Sequence, residues 1–208
     1  MWNVLNRPQI AQKEVTLIVS NAMRQLGVVF PDKDAAPRPA IIIDIDETCL
    51  TALSTMRCER HVHSAGSAHV RRPMLFRNNH FQTIPHLEHS WVAGGSAAAI
   101  PPVLKFYKWL CNTHPDAAVI FLTERRRSEY NCTEYNLKAE GFTDFTRLVI
   151  RELEDGDSSM ATYKLRQREK LEAEGFTIVA TVGDQWSDFS GGHTGYVVKL
   201  PNYLYTIE

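Results

Sequence analysis

The run Ala40-Ile41-Ile42-Ile43-Asp44-Ile45-Asp46 constrains this chain more than any other segment. Its apolar part has no polar face, so it reads as a strand buried on both sides. Such strands belong to parallel sheets covered by helices. The carboxylates that follow are two residues apart, and in an extended chain residues i and i+2 point the same way. Asp44 and Asp46 are therefore expected to project together from the carboxyl end of a core strand. Two like charges so close are costly unless a cation or a substrate uses them.

The pattern on either side agrees with a covered parallel sheet. An amphipathic helix is expected over 9–28, with Gly27 as its stop, and a Pro-rich polar loop over 31–39. The first core strand is expected over 40–45. Pro101-Pro102 opens a helix carrying Val103, Phe106, Tyr107 and Leu110. A buried strand over 117–122 ends at Thr123, and Ser128 is placed to cap a helix that stops near Gly141. A strand over 147–150, a charged helix over 160–174, a strand over 177–182 ending at Gly183 and a last strand over 196–200 complete the chain. Strands alternating with helices predict an α/β, doubly wound, mainly parallel sheet. One domain spanning 1–208 accommodates all of this, with an insertion or cap at about 50–100. That stretch lacks periodicity and is too long for a simple connection.

In open α/β sheets ligands bind outside the carboxyl ends of the strands. Asp44, Thr123 and Asp184 each stand just after an apolar strand, so one rule brings three distant segments to one crevice. A carboxylate there can attack phosphorus and form an acyl phosphate. A second can protonate the leaving oxygen and later activate water. Further carboxylates can hold a hard divalent cation such as Mg²⁺. A hydroxyl and an ammonium can grip phosphoryl oxygens. Asp44, Asp46, Asp184 with Asp188, Thr123 and Lys164 can fill these roles in turn.

Asp44-Ile45-Asp46-Glu47-Thr48, Thr123 after Ile120-Phe121-Leu122, Lys164 after Tyr163, and Gly183-Asp184-Gln185-Trp186-Ser187-Asp188 resemble the four motifs of the haloacid dehalogenase superfamily. The last has the form seen in its class B/plant-type acid phosphatases, subfamily IIIB. Trp91, Ala98-Ala99-Ile100-Pro101 and Lys199-Leu200-Pro201-Asn202 are also similar to that group. The resemblance implies a Rossmann-like three-layer sandwich, with Asp44 as nucleophile and Asp46 as general acid/base. It implies Mg²⁺ held by the Asp44 carboxylate, the Asp46 carbonyl and Asp184, with Asp188 nearby. It implies that Thr123 and Lys164 bind the transferred phosphoryl group, and that a small-molecule phosphomonoester is hydrolysed. Thr123-Glu124-Arg125 departs from it: relatives more often carry glycine or asparagine in the middle, so Glu124 adds a carboxylate near an anion site. For Arg125 two readings stay open, substrate binding or pairing with a surface acid.

The net charge of −1 offers no global field for nucleic-acid polymers or anionic membranes. No apolar stretch approaches spanning length, and the N-terminus lacks the basic-then-apolar layout of a signal peptide, so a cytoplasmic protein is expected. Many relatives are exported. The four cysteines (Cys49, Cys58, Cys111, Cys132) form no C-x-x-C pair and read as free thiols, Cys49 as a small apolar filler. Six of the eight histidines fall in the insertion, and His61-x-His63 has no acidic or cysteine partner at ligand spacing. Arg57, Arg60, Arg71, Arg72 and Arg77 outnumber Glu59 and Glu88 there, an excess that would attract anionic substrates. Phe81 and Trp91 are candidates for stacking or for the insertion's own core. Three rival functions stand beside this one: a 5'-nucleotidase of the same chemistry, a protein phosphatase, which shares the first motif and which the fourth argues against, and a non-catalytic storage or binding protein on the same fold. Nothing in the sequence sets the oligomeric state.

Overall fold

The apolar run becomes the central strand of a five-stranded parallel sheet in the computed structural model, which describes residues 8–32, 35, 38–51, 97–156 and 158–204. In chain order the elements are α1 (Pro8–Val29), β1 (Pro39–Ile43), β2 (Leu50–Thr51), β3 (Ala98–Ala99), α2 (Pro101–Thr113), β4 (Ala118–Arg126), α3 (Tyr130–Ala139), β5 (Arg147–Arg151), α4 (Met160–Ala173), β6 (Thr177–Gly183) and β7 (Tyr196–Lys199). The sheet order is β5-β4-β1-β6-β7, with β1 pairing in parallel to β4 on one side and β6 on the other. The carboxyl ends of β4, β1 and β6 therefore open onto one crevice, as the strand-end argument requires.

Alternation along β1 assigns the two faces. Ile41 and Ile43 pack with Val103 and Phe106 of α2 and Val15, Val19 and Leu26 of α1. Ala40 and Ile42 pack on the other face with Tyr163 and Leu171 of α4. α3 sends Leu137 into the first of these cores, so it lies on the same side as α1 and α2. Burying both faces is what removes the polar residues from β1.

Three local features differ from expectation. β1 ends at Ile43, not Ile45, because the chain turns there: the Ile45 carbonyl accepts from the amides of Thr48, Cys49 and Leu50, and Glu47 takes a positive φ of 55°. Ile45 still packs with Ile41 and Ile43, so the alternation outlasts the strand. β4 runs past Thr123 to Arg126, with its register against β5 shifting between Leu122 and Arg126. Ser128 does not cap α3. It lies inside a 3₁₀ turn, Arg127–Glu129, where Glu129 accepts from the Arg126 amide at 2.7 Å.

The two ends of the insertion meet. β2 and β3 pair antiparallel, Leu50 opposite Ala99 and Thr51 opposite Ala98. Asn136 of α3 holds the Ala97 backbone through both its amide groups, at 2.8 and 3.1 Å, and Glu140 accepts from the Ala99 amide at 2.7 Å. Expectations for Cys58, His61, His63, Arg71, Arg72, Phe81 and Trp91 lie outside the described residues. Cys49, Cys111 and Cys132 are free thiols, and Cys49 is a core residue as expected.

Candidate active site

The alternation that buries Ile45 with Ile43 turns Asp44 to the α4 face. There Asp44 Oδ1 accepts from Lys164 Nζ at 2.7 Å. The same ammonium donates to Asp188 Oδ1, and all three side chains are buried. Burial raises the Asp44 carboxyl well above its ordinary value, Lys164 pulls it back, and Asp188, Asp184 and Asp46 push it up again. Burial alone would lower the Lys164 ammonium, but Asp44 and Asp188 outweigh it and raise it. Lys164 is thus no solvated helix lysine.

The segment after β6 is built around Asp184 and Asp188. Asp188 Oδ2 accepts from the Gln185 amide at 2.9 Å, closing a 3₁₀ turn at Trp186–Asp188. A Cβ on Gly183 would stand 2.2 Å from Asp188 Oδ2, so the close approach needs glycine there. Both oxygens of Asp184 are gripped by donors: Thr48 Oγ1 at 2.8 Å on Oδ1, and Gln185 Nε2 and Asn202 Nδ2 at 2.6 Å on Oδ2. Lys199 Nζ bonds the Asp184 carbonyl at 2.7 Å. Carboxylate oxygens of Asp44, Asp184 and Asp188 come within 4.8 Å of one another. A buried all-oxygen set of this kind matches a hard divalent cation.

Asp46 parts from Asp44. Arg125 Nε donates to its two oxygens at 3.1 and 3.2 Å, and Nη2 donates to Oδ1 at 2.7 Å. Thr123 Oγ1 is 3.4 Å from Asp46 Oδ2 and accepts from the Arg125 amide at 3.2 Å. Arg125 is 5 % exposed, and its Nη1 donates to Thr133 Oγ1 at 3.0 Å. The pairing partner proposed for Arg125 is therefore an acid, but a site carboxylate rather than a surface one. Burial works against the Arg125 cation, and Asp46 more than restores it. Glu124 points elsewhere: it pairs with Arg151, which also bonds Ser158. Burial raises its carboxyl, with Arg151 and Lys164 pulling it down.

The structure thus gathers Asp44, Lys164, Asp184 and Asp188 into one cluster and Asp46, Thr123 and Arg125 into an adjoining one. Sequence reasoning gave no role to Arg168 or Thr133. Arg168 is fully buried and donates to the carbonyls of Asp188 (2.6 Å), Ser190 (2.6 Å) and Gly192 (3.1 Å), so it anchors the Asp188 loop to α4. Its only sequence signal is its place four residues after Lys164, on the same helix face.

Comparison with known proteins agrees with this fold. The pattern described as HAD superfamily, subfamily IIIB (Acid phosphatase) matches residues 5–208. The chain is 40% identical over 125 residues to the Stem 28 kDa glycoprotein of Glycine max, covering 59% of this chain and 48% of that protein. It is 37% identical over 118 residues to Acid phosphatase 1 of Solanum lycopersicum (56% and 46%), and 32% over 126 residues to Vegetative storage protein 1 of Arabidopsis thaliana (60% and 46%). These matches span about half the length of those relatives. The solved class C acid phosphatase from Bacillus anthracis superposes with a TM-score of 0.70 at 16% identity, over 98% of this chain and 82% of that one, a likeness of fold. No helix among the described residues is long and apolar enough to cross a membrane. With its four motifs converging at the carboxyl ends of β1, β4 and β6, the chain belongs to the haloacid dehalogenase superfamily, subfamily IIIB, the acid phosphatases.

Proposed function

We propose that this protein is a Mg²⁺-dependent phosphomonoesterase that works through an aspartyl-phosphate on Asp44. The observation that carries the reading is the buried contact of Asp44 with Lys164 inside the Asp44, Asp184 and Asp188 cluster. A carboxylate held against an ammonium and beside a cation site is suited to meet a phosphate dianion. In the first half-reaction Asp44 Oδ attacks phosphorus, the phosphorus–oxygen bond to the leaving group breaks, and Asp46 gives that oxygen its proton. In the second, Asp46 takes a proton from water, which attacks phosphorus and frees Asp44 and inorganic phosphate. Thr123 and Lys164 hold the phosphoryl oxygens throughout.

Mg²⁺ fits the donor set: the carboxylates of Asp44, Asp184 and Asp188 would hold it, and it would supply charge neutralisation at phosphorus. The donors on Asp184 from Thr48, Gln185 and Asn202 would orient that ligand. The reading takes 1–208 as one phosphatase domain carrying a cap at about 50–100, acting on small-molecule phosphomonoesters, and takes the cytoplasm as its location. The named storage-protein relatives favour one second reading, a protein on this fold without turnover. The test is hydrolysis of a chromogenic aryl phosphate with Mg²⁺ or with chelator, for wild type and Asp44→Asn. Turnover that needs the metal and falls by on the order of 10⁴-fold or more in the variant is expected. A wild type inert across a broad panel of phosphomonoesters, nucleotides included, would favour the storage reading instead.

A further inference from the structure

The face that α3 and its two capping residues turn toward β4 and toward Ala97 and Ala99 is polar where an apolar stripe would be expected. Glu129, Thr133, Asn136 and Glu140 recur at spacings of four, three and four, one side of a helix. Thr133 and Asn136 are 0 % and 1 % exposed, and Glu129 is buried too. Buried polar groups in this number are retained only when each has a partner. The partners fall in two sets. Glu129 and Thr133 serve the strand that carries Arg125, and Asn136 and Glu140 serve the returning end of the insertion at Ala97 and Ala99.

We infer that Thr133 is a positioning residue for leaving-group protonation, acting through Arg125 on Asp46. The inference rests on the proposed acid/base role of Asp46. A guanidinium can pivot about its own axis, and its planar fork places a carboxylate only when that plane is fixed. Asp46 meets Nε and Nη2 of Arg125, and Thr133 Oγ1 takes Nη1 at 3.0 Å on the far edge of the same plane. Thr133 is itself fixed because α3 is pinned before it by Glu129 on the Arg126 amide and after it by Asn136 on Ala97. A chain of short contacts thus runs from the helix to the carboxylate. Proton transfer needs that carboxyl within hydrogen-bond reach of the leaving oxygen, and misplacement by about 1 Å can cost 10²-fold.

The step at stake is the first one: Asp44 Oδ bonds phosphorus, the leaving oxygen departs, and the Asp46 proton passes to it. An alkoxide leaving group needs that proton and a nitrophenolate does not. The test therefore compares kcat/KM for an alkyl phosphate and for p-nitrophenyl phosphate, in Thr133→Val and Thr133→Ser. Thr133→Val should lose roughly ten- to a hundredfold with the alkyl ester and about threefold or less with the aryl ester, and serine should restore the alkyl activity. Thr133→Ala carries the same expectation where valine crowds the helix. Equal losses on both esters, or no rescue by serine, would overturn the inference and leave Thr133 a packing residue. Asp46→Asn on the same two esters separates the layers. If it too treats them alike, the acid/base assignment has failed; if it discriminates and Thr133→Val does not, only the positioning role has.

Discussion

The two carboxylates that leave β1 together live in different surroundings. Asp44 is 7 % exposed and sits among charges: Lys164 beside it, Asp184 and Asp188 across from it, and Arg168 bracing the Asp188 loop behind. The Asp46 side chain is 25 % exposed and faces a buried cation, Arg125, with Thr123 near it and Thr133 behind. The first neighbourhood concentrates charge where phosphorus would be attacked. The second holds one carboxylate at a fixed place where a leaving group would depart. An Asp-x-Asp pair is therefore two sites that share a turn, and their division begins with the bend at Ile43 to Glu47 that ends the strand.

If that division is right, variants on the Asp44 side should hurt all esters alike and variants on the Asp46 side should discriminate. Lys164→Met is the strongest probe after Asp44 itself. It removes the ammonium from between Asp44 and Asp188, and should lower kcat by about 10²- to 10³-fold for aryl and alkyl esters equally. A loss confined to alkyl esters would move Lys164 to the leaving-group side and break the comparison. Arg168→Met acts one step further out. It strips the carbonyls of Asp188, Ser190 and Gly192 of their donor, the first of them buried, at about 1 kcal/mol each, so roughly 3 kcal/mol of stability should go. For a chain of this size that is a fall in Tm of about 6–12 °C, read by calorimetry. An unchanged Tm would mean that water replaces the guanidinium and that the loop stands without it. Glu124→Gln should do least. Glu124 is paired with Arg151, so kcat/KM should stay within about threefold on either ester. A tenfold change would place Glu124 in the site despite its pairing.

What the sequence made legible follows the same line. Asp44 and Asp184 were legible because each follows an apolar strand that is easy to read, and Lys164 on α4 and Asp188 in its 3₁₀ turn because they stand in motifs at a set order from those two. Arg168 and Thr133 left no such mark. A buried arginine on carbonyls and a buried threonine on a guanidinium look, along a helix, like a solvated face. Only the fold shows that α3 and α4 turn those faces inward. Arg125 stayed open between substrate binding and a surface pairing, since its pairing with Asp46 depends on β4 running on past Thr123. Ser128 misled because capping by Glu129 on the Arg126 amide starts a 3₁₀ turn with its cap at Arg126, two residues earlier.

On the proposed assignment Asp44 attacks phosphorus and carries the covalent phosphate, while Asp46 serves the oxygens around it. The most direct measurement is the first turnover of p-nitrophenyl phosphate by Asp46→Asn and by Asp44→Asn, followed by rapid mixing. Asp46→Asn should release about one equivalent of nitrophenolate in a burst and then stall, because the phosphate on Asp44 waits for a base that is gone. Asp44→Asn should give no burst. A burst from Asp44→Asn, or full steady turnover by Asp46→Asn, would contradict the assignment of the pair.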